Sequence, residues 1–242
     1  MRFWVVATML LAAVDVRAGQ IPDVVANGKV PEVRACGDCH SPDGIGQPGS
    51  ASLAGLSVEY ISDQITNYRK GLRGRVGPAT HPSAVMRAVA NAVDDDDLRA
   101  AAEYFASLPL RSWLRVVETT SVPSRGRAEP IGRRIVELPD DRGLGFVAYV
   151  PLGTLKKGET LVTTGSGGRT MRCAQCHGND LRGVGRVPPI AGRSPSYLAR
   201  QLTDMRGGAR HGAGPDLMMA AVARLSEEDL LAIAAYTASL AP

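Results

Sequence analysis

Apolar and aromatic positions return at helical spacing in two distant parts of the chain. Tyr60, Ile61, Ile65 and Tyr68, with Gln64 among them, lie on one face of a predicted helix. Tyr197, Leu198, Leu202 and Met205, with Gln201, repeat that face. Leu98, Ala101, Tyr104 and Leu108 form a second stripe, and Leu230, Ile233, Tyr236 and Leu240 form its counterpart. Ser226-Glu227-Glu228-Asp229 reads as an N-cap followed by early acidic charge. Asp94 to Asp97 occupy the corresponding place upstream. That acidic run is therefore read as a helix start rather than a metal site.

Between the two helical parts the pattern changes. Residues 113–118, 134–138 and 146–150 are β-leaning runs set between Gly and Pro. They are expected as short strands packed along a domain interface. The N-terminus differs again. Arg2 precedes an apolar run over residues 3–14, too short to span a bilayer. Val16-Arg17-Ala18 then offers small or aliphatic residues where a signal peptidase reads. Residues 1–18 are expected to be a signal peptide, cleaved after Ala18, which implies export.

The helical parts are copies of one another. At an offset of 137, Cys36, Cys39 and His40 match Cys173, Cys176 and His177. Ala54-Gly55, Ser57, Tyr60, Gln64, Arg69 and Gly71 match Ala191-Gly192, Ser194, Tyr197, Gln201, Arg206 and Gly208. After a five-residue deletion the offset becomes 132, and Met86, Asp97, Leu98 and Tyr104 match Met218, Asp229, Leu230 and Tyr236. The expected domains are 19–109 and 161–242, joined by a connector over 110–160. A repeat of roughly 75 residues buries little surface alone. Aromatic residues make up only 5% of the chain, so something else must fill its cores.

All four cysteines fall in Cys36-Gly37-Asp38-Cys39-His40 and Cys173-Ala174-Gln175-Cys176-His177. Two thiols on adjacent turns can each add to one vinyl group of a haem, and the following His then reaches the iron. A redox dithiol does not explain the His after both pairs. A shared zinc site is opposed by the 133 residues between the pairs. Local disulfides would restrain little. Two covalently bound haem c groups are expected, and each would supply the apolar bulk its repeat lacks. For the second axial position, Met86 and Met218 are the methionines that match between repeats. Each is expected just before a short helix. Met205 and Met219 do not match a methionine, and His81 and His211 do not match each other.

Both halves resemble class I cytochromes c, and the tandem is similar to the di-haem cytochrome c₄ family. Leu53-Ala54-Gly55 with Tyr60 and Gln64, and Ile190-Ala191-Gly192 with Tyr197 and Gln201, carry that likeness over about residues 34–109 and 161–242. The resemblance implies a mainly α fold of two tandem cytochrome domains, with a longer connector open to short β-strands. It implies a periplasmic location and electron transfer between respiratory or dehydrogenase partners. The family also has a Pro two residues before the Leu-Ala-Gly, whose carbonyl accepts from the proximal His. Pro188 matches it, while the first repeat has Ala51.

The expected function is an electron carrier without its own substrate chemistry. The alternatives are a di-haem oxidoreductase, such as a peroxidase or a sulfur-compound dehydrogenase, and a cytochrome subunit of a larger dehydrogenase complex. No spare cysteine is available as an iron ligand. Charge gives no nucleic-acid footprint: the chain carries 28 basic and 24 acidic side chains, spread along it. Redox proteins are the expected partners, with docking to a membrane complex among the options. Residues 34–109 are net −2 and residues 161–242 net +3, which predicts a lower potential in the first domain.

Overall fold

A computed structural model describes residues 20–29, 31–74, 81–124, 127–143 and 145–242. The expected signal peptide, residues 1–18, lies outside the described residues. Among the described residues no helix is long and apolar enough to cross a membrane.

The N-terminal repeat contains α1 (Asp23–Ala26), α2 (Gly37–His40), α3 (Val58–Arg69), α4 (Pro82–Ala92) and α5 (Asp95–Ser107). Ser57 starts α3 by accepting from the Tyr60 N–H, and Asp94 starts α5 by accepting from the Asp97 N–H. The acidic run thus opens a helix, as its sequence suggested. The core gathers Val24, Val25, Leu56, Ile61, Ala102 and Phe105. Phe105 is the most deeply set aromatic here and lay beside the predicted stripe rather than on it.

The connector holds β1 (Leu114–Glu118), β2 (Ser121–Ser124), β3 (Arg127–Pro130), β4 (Val136–Pro139) and β5 (Phe146–Val150). β5 is central, with β1 parallel on one edge and β4 antiparallel on the other. β2 and β3 make a separate antiparallel hairpin. The three expected strands are present, and the hairpin is additional. The Trp113 Nε1–H donates to the Gly192 carbonyl at 3.0 Å, which fixes the start of β1 to the C-terminal repeat.

The C-terminal repeat contains α6 (Thr154–Thr164), α7 (Ala174–His177), α8 (Pro195–Arg206), α9 (Ala213–Val222) and α10 (Glu227–Ser239). α6 begins inside the stretch read as connector and packs on α10. A Cβ at Gly158 would lie 2.1 Å from the Ala232 carbonyl oxygen, so glycine permits this close crossing. α8 and β1 also pack against α10. It is consequently buried on nearly all sides, including Ala232, Ala234, Ala235 and Ala238 beyond the predicted stripe.

Corresponding residues of the two repeats meet. The Gly74 N–H donates to the Ala209 carbonyl and the His211 N–H to the Leu72 carbonyl. Exchanging the repeats at the offset of 137 turns one bond into the other, so the domains join around a local two-fold. Glu137 of β4 reinforces the joint. Its carboxylate accepts from the Gly49 N–H of one domain and from the Ser194 hydroxyl and Ser196 N–H of the other.

Candidate functional site

Each cysteine motif forms one short helical turn. Cys36 caps α2 and Cys173 caps α7, with Cys39 and Cys176 a turn further on. No disulfide joins any two of the four. Burial in an apolar wall pushes the Cys36 and Cys173 thiols up to about 11. The histidines end the turns. His40 Nδ1 lies 2.8 Å from the Ala51 carbonyl, and His177 Nδ1 lies 2.8 Å from the Pro188 carbonyl. A carbonyl can only accept, so Nδ1 carries the proton and Nε2 keeps its lone pair for a metal. Burial lowers both imidazole pKa values, which keeps the rings neutral. Ala51 serves as well as Pro188 because the acceptor is a backbone atom.

The loops that present these carbonyls are also the same. The His40 carbonyl accepts from Gly46 and the His177 carbonyl from Gly183. Leu53 and Ala54 both donate to the Gly44 carbonyl, while Ile190 and Ala191 both donate to that of Leu181. Each loop is locked at both ends before any cofactor is considered.

A cavity of about 320 Å³ in the N-terminal domain is lined by Cys36, Cys39, His40 and Met86, with Leu56 and Phe105 in its wall. The structure therefore brings together the residues expected to work together. In the C-terminal domain, Cys173 and Met218 pack against one core cluster, and His177 is buried. Met86 and Met218 lie within α4 and α9, not ahead of a helix. His81 and Pro82 start α4 four residues before Met86: the His81 side chain accepts from the Ser83 N–H and Pro82 supplies a preset φ. Arg69 and Arg206 have matching duties. Arg69 donates to the Ala90 and Val93 carbonyls at the end of α4, and Arg206 to the Leu225 carbonyl after α9. Met205 belongs to the buried core. His211 lies in the interdomain bridge and is exposed.

Three buried arginines lie between the domains, and the sequence reading did not single out their role. Arg73 donates to Gln64, to the Tyr197 hydroxyl and to Gln201. Arg210 donates to Gln201, to the Tyr60 hydroxyl and to Gln64. The two networks exchange under the same offset, so Tyr60, Gln64, Tyr197 and Gln201 serve the interface. Arg193 is 3% exposed and reaches backbone carbonyls of both domains. Burial pulls its pKa down to about 10, which leaves it charged at neutral pH.

Residues 25–109 and 155–241 each match the cytochrome c family. The chain belongs to that family. Its two haem domains each carry a cysteine pair, and they hold two covalently bound haem c groups. Cytochrome c4 of Azotobacter vinelandii is 29% identical over 235 residues, covering 95% of this chain and 90% of that protein. The thiosulfate dehydrogenase electron acceptor of Stutzerimonas stutzeri is 26% identical over 238 residues, covering 97% and 92%. The solved cytochrome c4 of Pseudomonas stutzeri superposes with a TM-score of 0.60 at 25% identity, over 92% of this chain and 100% of that one. The solved thiosulfate dehydrogenase of Marichromatium purpuratum gives a TM-score of 0.66 at 29% identity, over 90% of this chain. This chain spans 39% of that longer one. The protein is a di-haem electron-transfer cytochrome of the cytochrome c4 type.

The interface of this cytochrome fits the group. Nε of Arg73 and Nε of Arg210 are buried without a hydrogen-bond partner. Among the described residues no ion pair joins either guanidinium to a carboxylate. Two like charges buried together call for an anion. Haem c carries two carboxylates, and Arg73 itself lines the N-terminal cavity. The orphaned donors therefore match the acidic edge of the cofactor, as the apolar walls match its ring.

Proposed function

We propose that this cytochrome is exported to the periplasm and carries electrons from a dehydrogenase to a further redox protein. The proposed division is a signal peptide over 1–18, cytochrome domains over 19–109 and 161–242, and a connector over 110–160 whose last residues already form the start of α6. Cys36 and Cys39 hold one haem by thioether bonds, and Cys173 and Cys176 hold the other. His40 and His177 are the proximal ligands, and Met86 and Met218 the sixth ligands. Bound haem supplies one-electron exchange between ferrous and ferric iron. Arg73 and Arg210 neutralise its carboxylates at the domain joint. The apolar walls exclude water, which limits the rearrangement that a change of charge requires.

The supporting observation is the histidine geometry. Both Nδ1 atoms are engaged by a backbone carbonyl at 2.8 Å, which leaves the lone pair of each Nε2 available to iron. Methionines on α4 and α9 accompany them. A histidine and a methionine would both be available to hold each iron, which favours a carrier over a peroxidase. The dehydrogenase as donor is supported by two relatives described as thiosulfate dehydrogenase electron acceptors. Likeness to part of a thiosulfate dehydrogenase chain favours a docked cytochrome partner as the second reading. Stopped-flow mixing with a reduced thiosulfate dehydrogenase tests the donor assignment. Second-order reduction of both haems is expected, and no reduction above buffer would overturn it. Stoichiometric co-purification would instead favour the subunit reading.

A further inference from the structure

Arg193 occupies the corresponding point of both proximal loops at once. Its Nε–H donates to the Pro189 carbonyl at 2.8 Å, and its Nη1–H donates to the Ser52 carbonyl at 2.5 Å. Ser52 and Pro189 are equivalent residues at the offset of 137. Each follows the residue whose carbonyl holds a proximal histidine: Ala51 for His40 and Pro188 for His177. Nη2–H adds a third bond, to Ala54 of the N-terminal domain. The opposite position in the repeat is Leu56, which is buried in the N-terminal core. A second cation there would face the first in a poorly solvated place. One guanidinium thus serves both loops.

That charge is barely exposed, and among the described residues no carboxylate pairs with it. Solvent and salt therefore screen it far less than the surface charges. Oxidation adds a positive charge at iron, and a nearby fixed cation opposes that step. We infer that Arg193 is a shared positioning residue for the redox chemistry: its buried charge, held between the two proximal loops, raises the reduction potential of both haems. The effect is larger at the N-terminal haem, whose loop receives two of the three bonds. This inference rests on His40 and His177 being the proximal ligands.

The test compares Arg193→Gln, which is neutral but still donates hydrogen bonds, with Arg193→Lys, which keeps the charge. Both are made in the full-length holoprotein. Haem count and the far-red Met–iron band report on the ligation reading, and small-angle scattering reports whether the domains stay docked. Met86→His identifies the N-terminal wave in a spectroelectrochemical titration. With haem count, band and docking retained, Arg193→Gln is expected to lower both waves, the N-terminal one further, at low and high salt alike. Arg193→Lys is expected to restore most of the shift. Unmoved waves, a shift confined to one haem, or a Lys variant that falls as far as Gln would overturn the inference. A wild-type protein lacking two haems or the Met–iron band would instead overturn the ligation reading.

Discussion

The two domains repeat one cofactor loop but cover it with very different amounts of protein. In the N-terminal domain the last helix, α5, buries three residues, Ala101, Ala102 and Phe105, and its N-terminal companion α1 has four residues. In the C-terminal domain α10 buries eight residues, and its companion α6 has eleven. In the C-terminal domain β1 of the connector sheet adds a further layer on α10. His40 and His177 nevertheless sit at the same 2.8 Å from their carbonyls. A loop locked by its own backbone bonds can therefore be carried on a thin core or a thick one, and the thinner core is expected to depend more on its haem.

The largest test of that contrast removes the cofactor from one domain at a time. Cys36→Ala with Cys39→Ala is expected to abolish protection from hydrogen exchange over most of α3, α4 and α5. Cys173→Ala with Cys176→Ala is expected to leave α6 and α10 protected, because Leu161, Val162 and Leu230 keep their packing. Equal loss in both domains would break the comparison. Substituting the axial residues comes next. Met86→Ala and Met218→Ala are each expected to remove about half of the far-red Met–iron band while both haems remain attached. An unchanged band in both variants would refute the assignment.

A smaller effect is expected at the helix starts. The Asp229 side chain is fully buried, accepts from the Ser226 N–H and hydroxyl, and pairs with Lys157 and Arg169. Asp229→Asn leaves those cations unmatched and is expected to destabilise the C-terminal domain by on the order of 3 kcal/mol. Asp97→Asn, at the matching place, removes a pair to the exposed Lys29 and is expected to cost less. The cations and cap bonds around Asp229 hold its carboxyl below the usual range. Its contribution is therefore present above a pH of about 4 and lost as the pH falls through its folded value. Chemical denaturation at neutral and acid pH measures this: the gap between wild type and Asp229→Asn is expected to close in acid.

The smallest expected effect is the intrinsic difference in potential. Net charge predicts a lower N-terminal value, but the acidic run at α5 is largely ion-paired. Lys29 meets Asp94 and Asp97, Arg69 meets Asp95, and Arg99 meets Asp96. The remaining difference is expected to be tens of millivolts at low ionic strength and to shrink with added salt. A large gap that salt leaves unchanged would show that buried charge, not surface charge, sets it.

The loops were legible because the cysteine motif and its repeat occur twice at one offset; Met86 lines the cavity of Cys36, Cys39 and His40, and Met218 packs on the same cluster as Cys173. The three sheet strands announced themselves through β-branched runs. The β2–β3 hairpin did not: Ser121-Val122-Pro123-Ser124 and Arg127-Ala128-Glu129-Pro130 lack apolar alternation, and their prolines suit only a short ribbon. The full burial of α10 was hidden because its second face consists of alanines, whose role depends on α6 and β1 being there. Arg73 and Arg210 enter the sequence reading only through net charge, although carrying the repeat two residues past Gly71 and Gly208 matches them. Arg193 has no match to betray it, since Leu56 stands opposite.

The most direct test of one haem per domain is proteolysis of the purified holoprotein followed by mass spectrometry of the haem-bearing peptides. Two such peptides are expected, one spanning Cys36 to His40 and one spanning Cys173 to His177, each with both thiols bonded to its haem. A single haem peptide, or either cysteine pair recovered as a disulfide without haem, would contradict the account.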